Sequence, residues 1–179
     1  MGQRVGLFCG AHTGNGSGYV DVAAAASRRI VQRGYGIVYG GGRVGLMGVI
    51  ADAALQAGGE VIGVIPEALA TKEVAHGGLT QLHVVGSMHE RKALMADLSD
   101  AFIALPGGFG TMDEFCEILT WAQLRIHSKP VGLLNASGYY DELLALFDKM
   151  VREGFVAVTT RSLVQSAPTI DELLERFEQ

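Results

Sequence analysis

Six short apolar runs recur along the chain, at residues 5–9, 36–39, 61–65, 82–85, 101–105 and 131–134. They are continuous rather than alternating in polarity, as expected for strands covered on both faces. Between and after them lie longer stretches with helical spacing, at 19–33, 45–57, 88–98, 111–124, 139–152 and, behind Pro168, 170–177. This alternation predicts an α/β fold: a single Rossmann-like, doubly wound, mostly parallel sheet with helices on both faces. No linker-like stretch or internal repeat divides residues 1–179, so one α/β domain is expected. The longest connection spans 66–80, and long loops in compact domains are often functional. In such a fold ligands sit beyond the carboxyl ends of the strands, near the switch in strand order. The informative residues are therefore those just after each apolar run.

Composition narrows the classes. Hydrophobic residues are 49% and charged ones 18% of the 179, which excludes a disordered or solvating chain. The net charge of −5, from 14 basic and 19 acidic residues, argues against nucleic acid as a partner and leaves room for a local basic pocket. No apolar run reaches the ~18 residues of a membrane helix, so no membrane partner is expected. The first residues lack the apolar core of a secretory signal, and Gly6 breaks the myristoylation pattern. Cys9 and Cys116 cannot build a disulfide scaffold and read as reduced core or near-core thiols, which points to the cytoplasm. His12, His76, His83, His89 and His127 form no ligand-spaced set, and no metal is expected. Glycine, at 25 residues, is about twice its usual share of ~7%.

Three glycine-rich turns carry the candidate chemistry. Gly10 to Gly18 follows the first run, Gly40-Gly41-Gly42-Arg43-Val44-Gly45 the second, and Pro106-Gly107-Gly108-Phe109-Gly110-Thr111 the fifth. Backbone without side chains lets an anion approach, and the following helix offers free N–H groups and the positive end of its dipole. Any one such turn also serves simply to join a strand to a helix. The second matches G-x-G-x-x-G through Gly40, Gly42 and Gly45, with Glu67 as a possible ribose-binding acid, so a NAD(P) oxidoreductase is one hypothesis. No Gly-Lys-Ser/Thr triplet occurs, which argues against nucleoside triphosphate chemistry.

Two helix starts are sharper. Ser87-Met88-His89-Glu90 is a capping box that starts a helix near Met88. Stepping back from Leu94, Met95 and Leu98 lands on Arg91, on the buried stripe. A guanidinium there needs an anion, either a structural acid or a phosphate or catalytic carboxylate. The adjacent Lys92 reads equally well as an exposed, solvated side chain. Thr111 and Glu114 also fit a capping box, which stability alone would explain. Yet Glu114 lies one turn inside a helix whose start is assigned to phosphate, about where a ribose would lie. Spacing groups it with Thr111, Ile118 and Trp121; burial there raises its pKa and Arg91 opposite would lower it.

Met88-His89-Glu90-Arg91-Lys92 followed by Pro106-Gly107-Gly108-Phe109-Gly110-Thr111-Met112-Asp113-Glu114 resembles the LONELY GUY (LOG) family of cytokinin-activating enzymes, once labelled lysine decarboxylases. Supporting stretches are residues 38–48 and 60–66, Glu73-Val74-Ala75-His76, Thr120-Trp121-Ala122-Gln123-Leu124, Lys129 to Asn135, and Gly138-Tyr139-Tyr140. The resemblance implies a hydrolase acting on the N-glycosidic bond of N6-modified adenosine 5′-monophosphates, with AMP as a further substrate. The products would be free cytokinin base or adenine and ribose 5-phosphate. It implies Arg91 and Glu114 as catalytic residues. Substrate contacts would come from Glu73, Met88, Lys92, Gly107, Gly108, Phe109, Gly110, Thr111, Met112, Asp113 and Thr120, with Gly41, Gly42 and Gly45 in the second turn. No cofactor is expected. The older label implies pyridoxal phosphate on a lysine, and no residue pattern here marks such a site. The resemblance also implies a homodimer with its site completed near the subunit boundary. Ala11-His12 replace small hydroxyl residues common after Cys-Gly, and Arg125 stands where glycine is common. Glu114 would stabilise an oxocarbenium-like sugar and orient water. A non-catalytic nucleotide or cofactor carrier on the same fold is the alternative.

Overall fold

The computed structural model describes residues 2–16, 18–70 and 75–178. Its strands are β1 (Arg4–Phe8), β2 (Gly36–Tyr39), β3 (Val61–Pro66), β4 (Gln81–Val85), β5 (Ala101–Ala104), β6 (Val131–Leu134) and β7 (Val164–Ala167). Its helices are α1 (Gly18–Gln32), α2 (Gly45–Gln56), α3 (Glu67–Ala70), α4 (Met88–Leu98), α5 (Phe109–Gln123), α6 (Asp141–Arg152), α7 (Val158–Arg161) and α8 (Ile170–Phe177), with a 3-10 turn at Ala136–Gly138. The strands form one sheet in the order β4-β3-β2-β1-β5-β6-β7, every pair parallel. The chain winds outward from β1 to β4, then returns to lay β5 beside β1, with Phe8 opposite Ala104, before winding outward again. The strand order therefore reverses between β1 and β5, and the crevice beyond their carboxyl ends is the switch point of the sheet.

Apolar side chains cover both faces, which is why most strands read as unbroken runs. On one face Val5, Leu7, Ile37 and Tyr39 pack against Ile30 of α1, Ile50 of α2 and Leu173 of α8. On the other, Phe8, Val38, Val64 and Phe102 meet Met95 of α4, Phe115 and Ile118 of α5 and Phe147 of α6. Each such large side chain contributes roughly 1.5–3 kcal/mol of burial free energy.

The expected doubly wound α/β sheet is present and is parallel throughout. Several finer expectations are corrected. β4 is not covered on both faces: it forms the outer edge, and its Val84 is 57% exposed. β7 was not anticipated, because its sequence Val-Gln-Ser-Ala is short, half polar and paired only to β6. α3 and α7, at 4 residues each, are too short to carry a period. α6 begins at Asp141 instead of 139, because Tyr139 closes the preceding 3-10 turn with its N–H on the Ala136 carbonyl and Tyr140 (φ −101°, ψ 11°) is the helix cap. Cys116 is exposed on α5 rather than near the core; Cys9 is buried, and both are free thiols.

Candidate active site

A cavity of about 480 Å³ opens at the switch point, walled by the turns after β1 and β5, the end of β2 and the start of α5. That is room for a nucleotide-sized ligand. Its floor is an ion pair. The Ser87 hydroxyl accepts from the Glu90 N–H at 3.1 Å, fixing the start of α4 as expected. Arg91 then points inward from the next turn and is 7% exposed. Its Nε donates to the Val64 carbonyl at 3.1 Å and Nη2 to the Gly40 carbonyl at 3.5 Å. Nη2 also lies 3.2 Å from Oε1 of Glu114, itself 9% exposed. Gly40 leaves room for the guanidinium, because a Cβ on it would overlap Arg91 Nη2. Breaking a buried pair of this kind by removing one partner costs roughly 3–5 kcal/mol. Cys9 also lines the cavity. Burial pushes its thiol far up, Glu114 pushes it further and Arg91 opposes, so it stays a neutral thiol and a poor nucleophile.

The wall is the start of α5. The Thr111–Glu114 capping box is not formed. The helix begins two residues earlier, at Phe109, and its cap is Gly108, with no side chain capping it. The first intrahelical bond runs from the Met112 N–H to the Gly108 carbonyl at 3.1 Å. The N–H groups of Phe109, Gly110 and Thr111 therefore project beyond the helix end, with no acid in the first turn to neutralise them. A Cβ on Gly108 or Gly110 would point into open space. Gly107, Gly108, Phe109, Gly110 and Thr111 all line the cavity, and the Phe109 ring is 96% exposed. As the spacing predicts, Thr111, Glu114 and Ile118 share the buried face of α5, with Phe115 beside them.

The other expected residues divide by place. In the second turn only Gly40 reaches the cavity. Gly41 accepts the His76 N–H at 3.1 Å, Gly42 pairs with Ala75, and Gly45 (φ 58°) lies against the Ala11 backbone. These three glycines lie outside the lining, as does Glu67, which is exposed on α3. Lys92 is not a solvated side chain. It is 13% exposed and ion-paired to Asp113 at 3.2 Å and Glu117 at 3.0 Å. Burial opposes its charge, but its bonds to Glu117 and Asp113 prevail and hold its pKa above the ordinary lysine range. Met88, Met112, Asp113 and Thr120 also lie outside the lining; the Thr120 hydroxyl donates to the Cys116 carbonyl at 2.7 Å. Glu73 lies outside the described residues. Ala11 and His12 do line the cavity. Sequence reasoning missed Tyr19 and Tyr139 there; Tyr139 stands a few residues past β6, where the strand-end rule could have found it.

Among the described residues no group of His, Cys, Asp and Glu could hold a metal ion, and no helix is long and apolar enough to cross a membrane. A family profile described as "Possible lysine decarboxylase" matches residues 47–177. A probable cytokinin riboside 5′-monophosphate phosphoribohydrolase of Oryza sativa subsp. japonica is 53% identical over 176 residues, covering 98% of this chain and 79% of its own. A cytokinin riboside 5′-monophosphate phosphoribohydrolase of Arabidopsis thaliana is 48% identical over 177 residues, covering 99% and 82%. Among solved structures, the molybdenum cofactor carrier protein of Chlamydomonas reinhardtii shares the fold, with a TM-score of 0.75 at 22% identity over 100% of this chain and 98% of its own. With a family match over most of its length and near-full-length relatives on either side, the chain belongs to the LONELY GUY (LOG) family.

Proposed function

We propose that this protein hydrolyses the N-glycosidic bond of N6-modified adenosine 5′-monophosphates, and of AMP, to free base and ribose 5-phosphate. The observation that carries the reading is the buried Arg91–Glu114 pair, one helical turn below an uncapped helix start at the switch point of the sheet. The projecting N–H groups of α5 bind the 5′-phosphate. That puts the ribose beside the Glu114 carboxylate. As the C1′–N9 bond breaks, its electron pair leaves on the purine and positive charge grows at C1′. The carboxylate stabilises that charge and takes a proton from the water that adds to C1′, and the departing purine takes up a proton in turn, through solvent, so that neutral base leaves and the carboxylate is restored. The Arg91 guanidinium, fixed by two carbonyls, holds the carboxylate in one orientation.

Curated relatives of about half-identical sequence bear the name phosphoribohydrolase, while the cofactor carrier shares only the fold. Substrate contacts by Lys92, Met88, Met112, Asp113, Thr120 and Glu73 belong to this proposal. Thr120 lies about 14 Å along α5 from Thr111, at 1.5 Å per residue, too far to share the phosphate's neighbourhood. A homodimer in which such residues face the partner's substrate accounts for them, and exposed Phe109, Leu124 and Ile126 suit that contact. A cytoplasmic setting fits the exposed free thiol of Cys116. The test is to incubate purified protein with AMP and with isopentenyladenosine monophosphate and to chromatograph for free purines. Release of adenine or isopentenyladenine is expected. Nucleotide binding without any release overturns the hydrolase in favour of the carrier.

A further inference from the structure

Three successive carbonyls in the turn after β5 are each held from outside. The Tyr140 hydroxyl donates to the Leu105 carbonyl at 2.6 Å, the Gly10 N–H to that of Pro106 at 3.2 Å, and the Tyr139 hydroxyl to that of Gly107 at 2.6 Å. Two consecutive tyrosines thus clamp the two ends of this segment. The turn needs such holding. Gly107 and Gly108 adjoin, and the position of a Gly108 Cβ meets nothing within 4 Å. A diglycine has little steric preference of its own. The Gly107 carbonyl and the Gly108 N–H belong to one planar peptide, so fixing the first fixes the second. Gly108 is the cap from which the projecting N–H groups of α5 begin.

The segment that delivers Tyr139 is itself tightly determined. Asn135 accepts the Tyr140 N–H at 2.7 Å and donates to Asp141 at 2.8 Å, bracketing the turn. Ser137, a non-glycine residue, is held at φ 54° within it. Strain of this kind persists only where the surroundings impose it, and it gathers at functional sites. The Tyr139 ring lines the cavity, edge-on to Tyr19 at 5.6 Å and to Tyr140 at 4.9 Å, and is 39% exposed, whereas Tyr140 is 2% exposed.

We propose that Tyr139 is a positioning residue: its hydroxyl holds the Gly107–Gly108 peptide so that the start of α5 stays shaped for a phosphate monoester. The inference rests on the reading of that helix start as the phosphate site. Tyr140 is the purely structural member of the pair.

The experiment measures ribose 5-phosphate binding by calorimetry, with thermal midpoints, for wild type, Y139F and Y140F. For Y139F the Kd is expected to weaken at least fivefold while the midpoint stays within about 2 °C. With AMP, its KM should rise comparably and its kcat stay within threefold. For Y140F, which strands a buried carbonyl, the midpoint should fall and the Kd stay within twofold. A Y139F Kd that moves less than threefold, or one that weakens only together with a midpoint loss above 5 °C, overturns the inference. So does wild-type protein that fails to bind ribose 5-phosphate. Wild type that binds it, with Y139F weakened as described, but never cleaves AMP would sink the hydrolase reading alone.

Discussion

At the scale of single residues, the Arg91–Glu114 pair is a place where sequence periodicity and packing agree. A charge on the apolar stripe of α4 demanded an anion, and α5 supplies Glu114 at 3.2 Å. Stripe spacing could not show that the guanidinium also occupies the carbonyls of Val64 and Gly40, because those contacts come from strands distant in sequence. Two predictions belong here. Glu114→Gln keeps the shape of the site but removes the charge that steadies C1′, and turnover of AMP should fall roughly 10²-fold or more. It also leaves Arg91 partly uncompensated, so a lower thermal midpoint is expected alongside intact nucleotide binding. Adenine release at the wild-type rate would show that Glu114 is not catalytic. Gly40→Ala tests the same geometry from the other side. Its methyl would occupy the place of Arg91 Nη2, a flexible tip that can move aside without unfolding the protein. Displacement of about 1 Å at a reacting centre can cost roughly 10²-fold, so activity should fall at least tenfold, and the thermal midpoint should fall as well because the same shift loosens the buried pair with Glu114. Wild-type kcat/KM in this variant would mean that Arg91 does not set the position of Glu114.

At the scale of elements, the connector from α5 to β6 is instructive because one of its residues is held in a strained conformation and another ties stability to pH. α5 ends with the Ile126 N–H on the Trp121 carbonyl at 2.9 Å, a closure that puts Arg125 in the left-handed region at φ 61°. That explains physically why glycine is common there. Arg125→Gly should stabilise the protein by about 0.5–1 kcal/mol, a rise of about 2 °C that calorimetry can resolve. An unchanged or lower midpoint would mean that the arginine's own contacts outweigh the strain. Two residues on, the His127 ring meets the Ile118 carbonyl at 3.0 Å through Nε2 and accepts the Lys129 N–H at 3.1 Å through Nδ1. Burial lowers its pKa below the ordinary value of 6.5, the Ile118 bond resists, and the Lys129 charge adds to the lowering. The unfolded chain thus takes up this proton first as pH falls. The stabilising effect is complete above about pH 6.5 and drains away as pH drops from there through the lower folded value. The midpoint of wild type should fall more between pH 7.5 and 5.5 than that of His127→Gln; parallel curves would exonerate His127. Neither feature was legible in sequence. Arg125 was noticed only as a departure, and the start of α5 was misplaced because Thr111 and Glu114 satisfy a capping pattern that the uncapped Gly108 pre-empts.

At the scale of the whole molecule, the sheet itself was legible because six of its seven strands are apolar runs, and their rhythm with helices allows few topologies. β7 escaped because an edge strand closed by Gln165 and Ser166 carries no burial signal. The fingerprint Gly40-x-Gly42-x-x-Gly45 is ambiguous for a related reason: sequence reports that backbone comes close to something, and the protein neighbours here are Arg91, Ala75 and Ala11. The reversal between β1 and β5 brings segments from both halves of the sheet around one cavity. A ligand seated there contacts segments from both halves of the sheet, so binding should raise global stability by mass action. Glu114→Gln makes this measurable, since AMP would bind without being consumed. At about 100 times its Kd, AMP should add about 2.7 kcal/mol, which for a chain of this length is a rise of roughly 5–10 °C. Adenosine, lacking the anion that the α5 N–H groups meet, should move the midpoint little at the same concentration. NAD should do the same, because it carries no terminal phosphate monoester and the glycines of its supposed fingerprint are already packed. A midpoint that rises equally with adenosine would remove the phosphate from the argument, and an equal rise with NAD would restore the dinucleotide reading. The expected order, AMP well above both, follows from placing a helix start without a cap of its own at the one crevice where the sheet changes direction.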